Sequence, residues 1–186
     1  MRQVRGVLFL DYVKMLRAQK SSDVRQHLLP DDIVYLQSQI DPDAWYPMDV
    51  FERLGCAILA TVTRGEVFPV RLWGRYSAQQ LHRAYPTLLA PGDPIETLNR
   101  FRVLRETFFD FSAVTVPMLH DTEAQITIQY RMGPVAEEAA ANQTMGFFEG
   151  LLSLAGARDV DAQFREHAWD GAARTLLVLR WQPPRA

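Results

Sequence analysis

The residue types that most readily do chemistry are few in this chain and stand far apart. The four histidines, His27, His82, His120 and His167, never fall at the one-turn spacing with which a helix presents two imidazoles to one metal ion. His120, followed by Asp121 and Glu123, has the donor types for a cation, but a polar hairpin tip calls for the same residues. Cys56 is the only cysteine, so no intrachain disulfide forms. Its neighbours in Leu54-Gly55-Cys56-Ala57-Ile58-Leu59 include no base to generate a thiolate, and they predict a small residue in the core. No serine stands in G-x-S-x-G, and the dispersed glycines form neither G-x-G-x-x-G nor a phosphate-cradling loop. Carboxylates pair at Asp31-Asp32, Asp41/Asp43 and Glu137-Glu138. The first and last of these pairs lie near expected helix starts, where the helix dipole favours negative charge. The expectation is therefore a protein that is not an enzyme, with no metal and no cofactor.

What remains is apolar chemistry. Phe108-Phe109-Asp110-Phe111 carries more aromatic surface than a core boundary needs, and it could line a pocket or simply pack. Phe108 and Phe111, with Tyr130 on a strand and Met145 and Phe148 on a long helix, are the candidate lining of a site for an apolar small molecule. Gly146 and Gly150 share a face of that helix, which predicts close approach to the sheet.

The elements that would position such a site follow from periodicity. Val7, Leu8, Tyr12, Met15 and Leu16 recur at helical spacing, and Ser22 and Asp31 could start short helices. Pro47 suits the first position of a helix whose stripe is Phe51, Leu54, Ile58 and Val62. Ser77-Ala78-Gln79-Gln80 fits a capping box and predicts a helix start there. Asp93-Pro94-Ile95-Glu96 combines an N-cap, a first-turn proline and an acid, and the stripe Leu98, Phe101, Leu104, Phe108 follows. The period then becomes two. Val114, Val116 and Met118 form one strand face, and Ile126, Ile128 and Tyr130 another, about the polar loop His120-Asp121-Thr122-Glu123. A helix is expected over 135–155, then strands over 159–168 and 173–181 about the turn Asp170-Gly171. The fold class is α+β. A helical N-terminal half precedes a β-β-α-β-β half whose four-stranded antiparallel sheet is covered on one face by helices.

The length of 186 residues suits one domain spanning the chain. Acids outnumber bases by 22 to 20, which argues against a nucleic-acid partner. The apolar runs, Leu54 to Val62 among them, are too short to span a bilayer, and the N-terminal run stops at Asp11 before it could serve as a signal peptide. A cytoplasmic location is expected.

Four segments carry a resemblance over the whole chain: Ala44-Trp45-Tyr46-Pro47, Leu72-Trp73-Gly74-Arg75-Tyr76-Ser77-Ala78, Met145-Gly146-Phe147-Phe148-Glu149-Gly150 and Leu179-Arg180-Trp181. With them the chain resembles a paralogous family expanded in myxobacteria. Its element order is similar to a wider superfamily of heme nitric-oxide sensor domains, four-vinyl-reductase-type ligand-binding domains and subunits of the TRAPP vesicle-tethering complex. That resemblance implies a regulatory domain that binds a small apolar ligand or a partner chain without catalysis; the alternative is a ligand-free dimerisation or scaffold module. The sensors carry Y-x-S-x-R for the heme propionates. Here Tyr130 matches the tyrosine, while Met132 and Pro134 stand where serine and arginine belong, and 94–109 lacks the axial histidine. Heme binding of the sensor kind is not expected.

The first helix has little polar face: Val7, Leu8, Phe9, Leu10, Tyr12, Val13, Met15 and Leu16 are all apolar or aromatic. This predicts a homodimer through the helical side, with Phe9 and Tyr12 in the contact, unless the other helices of the same chain surround the first one.

Overall fold

The computed structural model describes residues 2–19 and 22–185. The N-terminal part is helical. α1 (Gly6–Ala18) is followed by short 3-10 turns and α2 (Ile33–Gln37), and then by α3 (Met48–Thr61), α4 (Val67–Ala84) and α5 (Pro94–Leu104). Asp93 caps α5 as expected, its carboxylate accepting the Glu96 amide at 2.9 Å. α3 buries Phe51, Leu54 and Ile58 on one stripe. Its start falls one residue later than expected, because Pro47 closes a strand and serves as the N-cap.

That strand is one of two that periodicity does not show. β1 (Gln3–Arg5) and β2 (Trp45–Pro47) pair antiparallel, with Val4 opposite Tyr46. Three residues are too few for an alternation to register. β1 also fastens the chain beyond α5: the Arg5 amide donates to the Phe108 carbonyl at 2.8 Å, and Val4 bridges Phe109.

The C-terminal half has the expected order: β3 (Val114–His120), β4 (Glu123–Ile128), α6 (Pro134–Leu154), β5 (Arg158–Glu166) and β6 (Thr175–Gln182). The sheet order is β3-β4-β6-β5, and every pair is antiparallel. Val114, Val116, Ile126, Ile128, Leu177 and Leu179 form the buried face. Thr115, Gln125 and Thr127 alternate with them and stay more open, which is the period of two made physical. At the turn before β6, Gly171 takes φ 96°, the left-handed conformation that glycine adopts without strain.

Three further expectations are corrected. No helix begins at Ser77; α4 runs through it. The Ser77 hydroxyl turns back to the Trp73 carbonyl at 3.1 Å, so the group that could have capped a helix is used inside one. Gly146 and Gly150 approach α4 rather than the sheet. A Cβ on Gly146 would lie 1.8 Å from the Arg71 carbonyl oxygen, and one on Gly74 of α4 would lie 2.0 Å from the Gln143 carbonyl oxygen. The two helices therefore meet backbone to backbone. Beside this seam the buried Glu149 carboxylate receives Arg71, and also Arg75 at 3.0 Å. Cys56 is half-buried on α3 rather than in the core, and burial followed by the nearby Glu52 raises its thiol pKa, away from a reactive thiolate.

The paired carboxylates hold structure. Asp32 takes Arg53 through both oxygens at 2.7 and 2.8 Å, and Glu137 accepts the Tyr130 and Met132 amides at 3.0 and 2.9 Å. Asp41 accepts the Asp43 amide at 2.8 Å. At the β3–β4 hairpin Glu123 pairs with Arg180 at 2.7 Å. Among the described residues no group of three or more His, Cys, Asp or Glu could hold a metal ion, and no helix is long and apolar enough to cross a membrane.

Candidate functional site

A cavity of about 400 Å³ lies where α1, α4, α5 and α6 converge. Its walls are mostly apolar, with eight aromatic residues among them. Phe101 of α5 meets Phe148 of α6 edge to face, with ring centroids 4.9 Å apart, and Phe147 lies beside both. Tyr12 of α1 stacks on Phe51 of α3 at 4.0 Å. Phe108 and Phe109 follow α5 and are held in place by β1. The sheet contributes Val114.

Two phenols face this space, and both are engaged. The Tyr12 hydroxyl donates to Gln143 Oε1 at 2.5 Å. Tyr130 shares a hydrogen bond of 2.6 Å with Thr144 Oγ1. The threonine hydroxyl has one proton, and it points to the Ala140 carbonyl at 2.8 Å, so the tyrosine is the donor. Burial pushes both phenols well above their ordinary pKa, and they are neutral at physiological pH.

Phe108, Tyr130 and Phe148 of the candidate set line the cavity; Phe111 and Met145 do not. Phe111 packs against Phe109 outside it, under the Arg2 guanidinium, and Met145 sits in the core. Sequence reasoning missed the contribution of α1. Val7, Leu8 and Leu10 line the cavity, while Phe9 and Tyr12 are buried within the chain. The surplus of apolar residues on α1 is absorbed by the core and the cavity, so Phe9 and Tyr12 are not available to a partner. The exposed apolar stripe lies instead on α4, where Phe68, Leu72 and Tyr76 succeed one another at one-turn spacing.

The charged part of the lining is concentrated toward solvent. Lys14 and Arg83 are exposed, as is Ala84, which places the mouth between the third turn of α1 and the end of α4. Arg105 and Asp11 are half-buried members of the same lining. Burial raises the Asp11 pKa, opposed by the charge of Lys14 one turn on. The Nε2 of Gln80, which also lines the cavity, is buried without a hydrogen-bond partner. The arrangement offers a largely apolar interior with charged donors at one end.

No family model matches the sequence, and no curated protein matches it. The fold does have solved counterparts. An H-NOX protein from S. oneidensis in its Fe(II)NO state superposes with a TM-score of 0.66 at 10% identity, over 96% of this chain and 99% of that one. A mutant unliganded Fe(II) H-NOX from K. algicida gives 0.64 at 13%, over 96% of each chain. A mutant H-NOX from T. tengcongensis gives 0.61 at 13%, over 98% of this chain and 100% of that one. The chain therefore has the H-NOX fold along its whole length.

Heme distortion is the subject of another of these structures, and so heme is the group to test against the cavity. The donors do not fit it. Among the described residues the lining includes no histidine, cysteine or methionine. The two phenols are protonated and hydrogen-bonded, whereas a tyrosine holds iron as the phenolate.

Proposed function

We propose that this chain is a non-catalytic, cytoplasmic ligand-binding domain that takes a small, largely apolar molecule into the α1–α6 cavity and signals its occupancy through protein contacts. The single observation that carries the reading is a largely apolar cavity of about 400 Å³ in a domain whose ionisable pairs are otherwise used to hold structure. That volume falls in the range of roughly 300–1,000 Å³ typical of small-molecule sites. A scaffold module without a ligand would gain stability by filling the space, since cavities cost stability in proportion to their volume. Phe108, Tyr130 and Phe148 are proposed as contact residues. Phe111 acts at one remove, by packing against Phe109, and Met145 as part of the core.

A homodimer is part of the proposal, with its contact moved from α1 to the stripe Phe68, Leu72 and Tyr76 on α4. Sedimentation at micromolar concentration is expected to show a dimer, and a Leu72→Glu chain a monomer. A native protein that sediments as a monomer removes the dimer from the reading. Kinship with the myxobacterial paralogues, the four-vinyl-reductase-type domains and the TRAPP subunits also belongs to the proposal.

Native mass spectrometry of the purified chain, before and after addition of a neutral apolar probe such as dodecanol, tests the cavity. One molecule retained per chain is expected. Leu8→Phe, which adds bulk to the lining, is expected to reduce retention about tenfold without lowering the melting temperature. Retention unchanged in that variant would place the probe elsewhere and defeat the reading.

A further inference from the structure

The donors at the cavity mouth have almost nothing to donate to. Among the described residues Arg83 stands at the rim without an ion pair, and Arg105 has only a loose contact with the exposed Glu106 at 3.4 Å. Lys14 faces Asp11, the sole acid among the described residues of the lining. Gln80 stands one turn before Arg83 on the same helix, and its buried Nε2 is unsatisfied. A buried amide donor without an acceptor is costly, on the order of 1–3 kcal/mol. Positive side chains are ordinary near the C-terminal end of a helix, and Arg83 and Arg105 stand in or just beyond the final turns of α4 and α5, while Lys14 stands a turn before the end of α1. A helix end supplies only about half a negative charge, less than the full charge of each base, so the mouth remains positive.

We propose that the ligand is an amphiphile with an anionic head. Its apolar chain lies among Phe101, Phe108 and Phe148, and its head sits at the mouth between Lys14, Arg83 and Arg105, accepting the Gln80 amide. This rests on the cavity being a ligand site. The head supplies the acceptors that the rim lacks, and the aromatic interior takes the chain. A neutral molecule would leave the rim donors to water, and a cationic one would face three like charges.

The test compares binding of dodecanoate, dodecyl phosphate, dodecanol and dodecyltrimethylammonium to the native chain by calorimetry below their micellar concentrations. At least one anion is expected to bind about tenfold tighter than dodecanol, with an advantage that shrinks as salt is raised, and the ammonium to bind weakest. The ranking of the two anions tells a carboxylate head from a phosphate head. Lys14→Gln combined with Arg83→Gln, both at exposed positions, is expected to abolish the anion's advantage over dodecanol measured on the same variant; circular dichroism verifies the fold. If dodecanol matches both anions, or the double variant keeps their advantage, the anionic head is wrong and the cavity reading stands. If no amphiphile binds, both are wrong.

Discussion

Gly146 of α6 rests directly on the Arg71 carbonyl of α4, so closely that a single methyl group would reach to 1.8 Å from the oxygen. Neither atom can yield without moving a helix axis. Gly146→Ala is therefore expected to destabilise the chain by about 3 kcal/mol or more, far beyond the effect of an ordinary helical Gly→Ala change, which usually stabilises. Urea unfolding measures this. A cost below about 1 kcal/mol would mean that the helices do not touch there.

The Glu149 carboxylate makes the fold sensitive to acid. Burial alone would raise its pKa, but the Arg71 and Arg75 guanidiniums outweigh that and hold it below its ordinary value of 4.5. The unfolded chain thus binds this proton more readily than the folded one. The stabilisation is present in full above about pH 4.5 and lost as pH falls through the lower folded value. Asp32, held low in the same way by Arg53 and the Leu29 amide despite its burial, adds to the loss from its ordinary 3.8 downward. Glu149→Gln is expected to cost about 1–3 kcal/mol at neutral pH and to flatten the acid limb of the stability profile.

Asp11 acts in the opposite direction. Its pKa is raised by burial, so the folded chain holds the proton more tightly than the unfolded one. The ionised carboxylate weighs against folding above its folded pKa, and that penalty fades as pH falls toward its ordinary 3.8. Asp11→Asn is expected to raise the melting temperature at pH 7 by about 2–4 °C, the response of a domain of this size to about 1 kcal/mol. The gain should narrow as the solution is acidified. A gain that does not depend on pH would show that the carboxyl charge is not the cause.

Hemin titration is expected to give no sharp Soret band at near-stoichiometric protein. The lining lacks an imidazole and its phenols stay protonated. A tight, five-coordinate, histidine-ligated spectrum would contradict the lining described above.

Much of the fold is legible in the chain where burial imposes a period. Ile126 and Ile128 alternate with Gln125 and Thr127 because one face of the sheet is covered, and Asp93-Pro94 and Asp170-Gly171 mark ends that only certain backbone chemistries can form. Local patterns mislead where the same residues serve two purposes. Ser77 can start a helix or bond backward within one, and Gly146 and Gly150 reveal a face to be approached but not what approaches it. The cavity itself is least legible. It is a volume left between four helices, and Leu8 has the same appearance in sequence whether it meets another chain or an open space.

The backbone contact between α4 and α6 has a mechanical corollary. Gln143 and Phe147 bracket the seam, since a Cβ on Gly74 would meet the carbonyl of the first and the amide of the second, and both residues line the cavity. That wall is a fixed jaw, with no side-chain cushion behind it to give way. The facing wall, α1, packs through rings and aliphatic groups, with Phe9 on Tyr46 and Tyr12 on Phe51, and its first residue, Gly6, meets backbone at the Asp41 carbonyl. A guest wider than the cavity is therefore expected to displace α1 side chains before it moves the α4–α6 wall.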